Sequence, residues 1–242
     1  MNLSRHLVSA VCLAALFVAG CADAPGRPKT AEEVPRPDSI LDFKTLYAQN
    51  CSGCHGAEAK GGAAIALNDP IYLSIADDAV IRKVIANGVK GTSMPAFAQS
   101  AGGMLTDKQV DAIVSGISSN WRPTAATKFS GPVPPYASST PGDAQRGAGV
   151  YSKFCQSCHG PNGKGGGKGG SIVDGSFLAL VTDQYLRTIV IVGRPELGHP
   201  NWQDDVPGTP MSSQEVSDVV AWLAAQRVKD PGQPYVTNNG AH

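Results

Sequence analysis

Large side chains are scarce in this sequence. Aromatic residues make up 6% of its 242 positions and methionine occurs four times, against 28 glycines and 18 prolines. Such a chain has little with which to fill an interior of its own. Neither sign of charge is in excess: 20 lysines and arginines balance 20 aspartates and glutamates, which gives no pointer to nucleic acid or to a polyanionic substrate. The apolar run from Leu7 to Val18 falls short of the ~20 residues that a membrane-spanning helix requires. No carboxylate pair or serine–histidine arrangement stands out as catalytic. The glycine-rich run Gly160 to Gly170 lacks the Gly-Lys-Ser/Thr ending and the preceding strand of a phosphate loop. It reads as a surface loop on which Lys164 and Lys168 can serve as docking contacts.

What the sequence does contain is a five-residue pattern, twice: Cys51, Ser52, Gly53, Cys54, His55, and again Cys155, Gln156, Ser157, Cys158, His159. Two cysteines separated by two residues and followed at once by histidine suit covalent haem attachment. The thiols add across the porphyrin vinyl groups and the adjacent imidazole becomes the proximal ligand of the iron. A zinc ribbon also uses the pair twice, but with ~15–20 residues between the pairs, whereas Cys54 and Cys155 are a domain apart. A thioredoxin-like dithiol needs a βαβ setting, and no hydrophobic strand run precedes either motif. Two haem c groups are the expectation.

The amino terminus reads as an export segment. Arg5 gives the positive region, Leu7 to Val18 the apolar one, and Val18, Ala19, Gly20 precede Cys21. The tetrad Val18 to Cys21 resembles a bacterial lipobox, in which the cysteine becomes the lipidated end of the mature protein; an ordinary secretory signal is the alternative. Residues 1–20 are thus expected to be a signal peptide, with Cys21 as the lipidation site. This closes the account of the six cysteines: four go to haem, Cys21 to lipid, and Cys12 leaves with the signal. No thiol remains for a disulfide, so two covalently held porphyrins would supply the apolar core that small exported domains otherwise lack.

The motif repeat is part of a larger one. Cys51 to Cys155 is an offset of 104, whereas Asp69 to Asp174, Arg82 to Arg187 and Gly88 to Gly193 are all 105, so one residue has been inserted after the second motif. The pattern predicts helices over 42–50 and 143–154 leading into the motifs, with Phe43, Leu46, Tyr47 and Val150, Tyr151, Phe154 at helical spacing. Further helices are expected at 80–87 and 185–192, capped by Asp77 or Asp78 and by Thr182 or Asp183. A last pair follows Thr106 and Ser212 or Ser213. Between the motif and the second helix of each copy, Ile71 to Leu73 and Phe177 to Leu178 read as an apolar turn. The fold expected is all-α: a tether over 21–38, one domain over 39–122, a proline-rich linker over 123–142, a second domain over 143–230, and a tail over 231–242.

On these residues each half resembles a class I cytochrome c, and the pair resembles tandem dihaem cytochromes c. The resemblance implies a haem enclosed by crossing amino- and carboxy-terminal helices, with a methionine loop over its distal face. The sequence departs from the family in one respect. No proline occurs in Ala63 to Leu67 or in Gly165 to Val173, where the family often has one whose carbonyl orients the proximal histidine. Which carbonyl holds His55 and His159 is left open.

For the first haem the distal candidate is Met94, in Gly91 to Phe97, with Met104 as competitor. For the second, Met211 is the choice by residue type, but the repeat favours another residue. Gly88 to Met94 and Gly193 to His199 are both six residues, so Met94-Pro95-Ala96-Phe97 aligns with His199-Pro200-Asn201-Trp202, and Met211 aligns with Leu105. His199 is therefore the expected distal ligand of the second haem, with Met211 as the alternative.

Two six-coordinate haems leave no open position for substrate, and the expected function is electron transfer between redox proteins on the periplasmic side of a bacterial membrane, with no part for nucleic acid. A dihaem enzyme of the peroxidase or thiosulfate dehydrogenase kind, and a haem subunit of a respiratory complex, are the competing expectations. The sequence does not name the electron donor or acceptor.

Overall fold

The computed structural model describes residues 34–124, 127–129 and 131–231. The expected signal segment, Cys21 and the tail beyond residue 231 lie outside the described residues. The chain forms two compact units, Met1–Ser39 and Ile40–His242. Among the described residues of the first there is one 3-10 turn, Pro37–Ser39, closed by the Ser39 amide donating to the Arg36 carbonyl at 2.9 Å. The second unit holds both repeats.

Among the described residues of that unit the regular structure is helical. The first repeat contributes α1 (Phe43–Asn50), α2 (Ser52–His55), α3 (Pro70–Ile75), α4 (Asp78–Asn87) and α5 (Asp107–Trp121). The second contributes α6 (Ala144–Phe154), α7 (Gln156–His159), α8 (Gly175–Leu180), α9 (Asp183–Val192) and α10 (Ser213–Ala224). The fold is all-α, as the sequence pattern implies.

Local chemistry sets the helix starts. Side-chain oxygens of Asp42, Asp77, Asp143 and Thr182 accept amides of the first turns of α1, α4, α6 and α9. Thr106 with Gln109, and Ser212 with Glu215, form reciprocal capping boxes on α5 and α10. The apolar turns expected at Ile71 and Phe177 are instead short helices. The carboxylates of Asp69 and Asp174 each accept two amides there, and in α3 Pro70 occupies the first helical turn, where its missing N–H costs nothing.

In each repeat the first and last long helices cross closely. In the first, Gly116 of α5 lies under the ring of Phe43, where a Cβ would come within 2.1 Å of Phe43 Cδ2; Trp121 packs edge-on to both Phe43 and Tyr47. In the second the small residue is on the other helix. A Cβ on Gly147 of α6 would lie 2.1 Å from the Asp218 carbonyl oxygen of α10, and Tyr151 stacks on Trp222 at 4.3 Å. Asp218, its side chain 4% exposed, locks this crossing: it accepts Nε and Nη2 of Arg146, each at 2.8 Å, and the Asp143 amide at 2.8 Å.

The repeats share one apolar core. Leu46, Leu73, Ile85, Val110 and Ile113 belong to the same buried cluster as Val150, Phe154, Ile191, Trp202, Met211 and Val219. Phe129, Val133 and Tyr136, from the proline-bearing stretch between the repeats, pack against it. That stretch is also held by polar contacts. The buried Arg187 donates to the Pro135 and Tyr136 carbonyls, and Ser138 bonds Ser217 at 2.8 Å. Arg82, the counterpart of Arg187 in the first repeat, instead pairs on the surface with Asp107 and Asp111.

Candidate functional site

The two Cys-X-X-Cys-His motifs take the same form. Cys51 and Cys155 each close the helix that leads in, and the next four residues make the single-turn helices α2 and α7, which end at His55 and His159. The glycine after each histidine is required by space. Gly56 and Gly160 have φ of 83° and 72°, and a Cβ would lie 1.9 Å and 2.0 Å from the carbonyl oxygens of Lys60 and Gly165. The carbonyls of these two glycines accept the hydroxyls of Tyr47, at 2.7 Å, and Tyr151.

The missing proline has a backbone substitute. His55, 7% exposed, places Nδ1 at 2.7 Å from the Ile65 carbonyl, and His159 places Nδ1 at 2.8 Å from the Gly170 carbonyl. A carbonyl only accepts, so Nδ1 carries the proton in both rings and the lone pair is left on Nε2, as a metal-ligating imidazole requires. Ile65 and Gly170 are 105 apart, whereas the tyrosine and glycine pairs are 104 apart, which puts the extra residue between Gly160 and Gly170.

Backbone hydrogen bonds align the loops that follow α4 and α9. The Val89 amide donates to the Met94 carbonyl at 3.0 Å, and the Arg194 amide donates to the His199 carbonyl at 2.9 Å. The Leu105 amide donates to the Phe97 carbonyl at 2.7 Å, and the Met211 amide to the Trp202 carbonyl at 2.9 Å. His199 thus occupies the backbone position of Met94, and Met211 that of Leu105. Met211 is a core residue, 2% exposed, while Met104 is a surface residue, 81% exposed.

The structure brings His199 to His159, with ring centroids 6.0 Å apart and planes inclined by 50°. Two imidazoles on opposite sides of one metal ion have centroids about 6 Å apart if each metal–nitrogen bond is ~2 Å. Nδ1 of His199 is buried without a protein hydrogen-bond partner. Burial keeps both His55 and His199 neutral by lowering their pKa; next in effect are the Ile65 carbonyl, which acts the other way at His55, and His159, which adds to the lowering at His199. Neutral rings are the ligating form.

Burial disfavours the thiolate, the form that binds a bare metal, at one cysteine of each motif. Burial pushes Cys51 up to about 11, with Cys54 adding to it, and Cys155 up to about 12, with Asp205 and Cys158 adding to it. Asp205 is itself raised to about 7 by burial and by Asp204. Among the described residues no group of three or more histidine, cysteine, aspartate or glutamate side chains is arranged to hold a metal ion, so the zinc reading lacks a donor set there. The residues fit a covalently held haem at each motif.

Three residues of the site carry no such signal in the sequence: Ile65 and Gly170, which act through their carbonyls, and Arg194, whose guanidinium donates to the Gly62 and Ala63 carbonyls. The 105-residue offset links the two carbonyls to each other, but no pattern selects either one. Nothing in the local sequence marks Arg194.

Comparison with known proteins also finds the chain to be a two-part repeat. The family model described as cytochrome C oxidase, cbb3-type, subunit III, matches residues 38–115 and 142–223, one segment per repeat. A cbb3-type cytochrome c oxidase subunit FixPc of Rhizobium leguminosarum bv. viciae is 28% identical over 151 residues, covering 57% of this chain and 46% of that protein. A FixP subunit of Azorhizobium caulinodans is 30% identical over 162 residues, covering 61% and 50%. A cytochrome bc1 complex cytochrome c subunit of Mycobacterium bovis is 25% identical over 240 residues, covering 96% and 81%. The chain spans about half the length of the cbb3-type relatives it matches.

Proposed function

The chain belongs to the cbb3-type cytochrome c oxidase subunit III family, as a tandem dihaem class I cytochrome c with two covalently bound haem c groups, and from that premise we propose that it carries electrons one at a time between redox proteins at a membrane. The observation that carries the reading is the matched pair of loops. Each copy of the repeat holds its motif histidine by Nδ1 on a carbonyl and fixes residue 94 or 199 with the same backbone bond, and in the second copy the His199 ring lies across from that of His159.

In this reading 39–122 and 143–230 are the two haem domains and 123–142 joins them. Cys51 with Cys54, and Cys155 with Cys158, hold the porphyrins. His55 and Met94 ligate the first iron, and His159 and His199 the second. The haem supplies the redox centre. The chain's residues keep His55 and His199 neutral, orient His55 and His159 through Nδ1, and set the two potentials apart: a methionine opposite histidine raises the potential relative to two histidines. The second site then feeds the first. Exposed Lys164 and Lys168, on the loop beside His159, offer a cationic contact for an acidic partner protein.

The names of the relatives favour work inside a respiratory assembly over free turnover, and we place the protein on the periplasmic side, anchored through a lipid on Cys21. No helix among the described residues is long and apolar enough to cross a membrane. The enzyme alternative requires an open or vacatable iron. Carbon monoxide added to the dithionite-reduced protein tests this: two closed haems leave the spectrum unchanged on mixing. Rapid formation of a carbonyl adduct, together with peroxidase or thiosulfate turnover, would replace the carrier reading with the enzyme one.

A further inference from the structure

Arg194 joins the two sites. Its backbone brackets His199, its amide donating to the His199 carbonyl and its carbonyl accepting the His199 amide at 3.0 Å. Its side chain, 12% exposed, reaches into the first repeat, where Nη1 donates to the Ala63 carbonyl at 3.1 Å and Nη2 to the Gly62 carbonyl at 3.0 Å. Ala63 is two residues from Ile65, whose carbonyl holds His55. Nε donates to Glu196, the third bond of the guanidinium.

The repeat accounts for the backbone bond but not for the side chain. The position equivalent to Arg194 in the first copy is Val89, which has the same backbone bond and no polar side chain. A largely buried guanidinium spanning two carbonyls is therefore specific to the second copy. The charge of its ion-pair partner Glu196 is felt at Asp69, the cap of α3.

We propose that Arg194 is a positioning residue that couples the two haem sites, clamping the loop of His199 onto the loop behind His55 and raising the reduction potential of both haems with one charge. A fixed positive charge beside both ligand sets disfavours the ferric state, which carries one more positive charge than the ferrous state. One electron moves between the sites and no bond is made or broken, so the residue acts through geometry and field alone. The inference rests on the dihaem reading above.

The test is spectropotentiometry of the holoprotein and three variants, with the haem count of each measured first. Two haems in the wild type support the dihaem reading independently of what Arg194 does. Arg194→Gln is expected to lower both midpoints. Arg194→Lys, which keeps the charge, should return both toward wild type, and Glu196→Gln, which leaves the guanidinium unneutralised, should shift both upward. Midpoints unchanged in Arg194→Gln and Glu196→Gln, a shift confined to one haem, or an Arg194→Lys protein that matches Arg194→Gln would each overturn the proposal.

Discussion

The imidazoles of His159 and His199 face one another with ring centroids 6.0 Å apart, although the residues are 40 positions apart in sequence and belong to opposite walls of the second site. Met211, the residue whose side-chain type suits a haem ligand, lies instead in the shared core beside Trp202.

The ligand assignment at the second site follows from that contrast. His199→Met is expected to raise the potential of the second haem and to add a second methionine-to-iron band at the red edge of the oxidised spectrum. Met211→Ala should leave that spectrum in place and lower stability by about 2–5 kcal/mol, the usual range for truncating a buried methionine. Loss of the second haem's distal ligand in Met211→Ala, with His199→Ala silent, would reverse the assignment.

At the first site the same logic separates two methionines. Met94→Ala should abolish the methionine-to-iron band of the oxidised protein and lower that haem's midpoint. Met104→Ala removes a side chain that is almost fully exposed and is expected to change neither, within about 0.5 kcal/mol of stability.

The crossing of α6 and α10 carries a pH signature. The Arg146 guanidinium, ahead of the other hydrogen bonds, holds the Asp218 carboxyl down at about 2, below its ordinary 3.8. A depressed folded pKa contributes stability that is fully present above the ordinary value and is lost as pH falls through the folded one. Asp218→Asn should therefore be less stable than wild type by about 1–3 kcal/mol at neutral pH, and the gap should close between roughly pH 4 and pH 2 in acid-unfolding curves. A gap that persists at pH 2 would mean that packing, not charge, is responsible.

The parts of this structure that were readable in advance are those in which one residue carries its own chemistry. Asp77, Thr106, Thr182 and Ser212 are caps because a short side-chain oxygen accepts an amide wherever it is placed. The two motifs were readable because they bring tether and imidazole together in five residues. Asp69 and Asp174 offered the same capping signal, but α3 and α8 are too short for apolar periodicity to declare them. The carbonyls of Ile65 and Gly170 were hidden because every residue has one, and their selection depends on the loop's path. The contact from Arg194 to Gly62 spans 132 positions and depends on the two repeats sharing a core, which the widely spaced apolar residues Phe129, Val133 and Tyr136 do not reveal as a pattern.

Anchoring is tested by fractionation. If Cys21 is lipidated, the full-length protein should sediment with membranes, and Cys21→Ala should appear as a soluble exported species with both haems in place. Wild-type protein that is wholly soluble would remove the anchor while leaving the cytochrome intact.

The central claim is the number of haems and the residues that hold them, and the pyridine haemochrome assay reads both. Wild-type protein should give two c-type haems per chain, and the double variant Cys51→Ala, Cys54→Ala should give one, with the haem of the His159 site retained. Zero haem with zinc bound at the motifs, or a double variant that still carries two haems, would contradict the account.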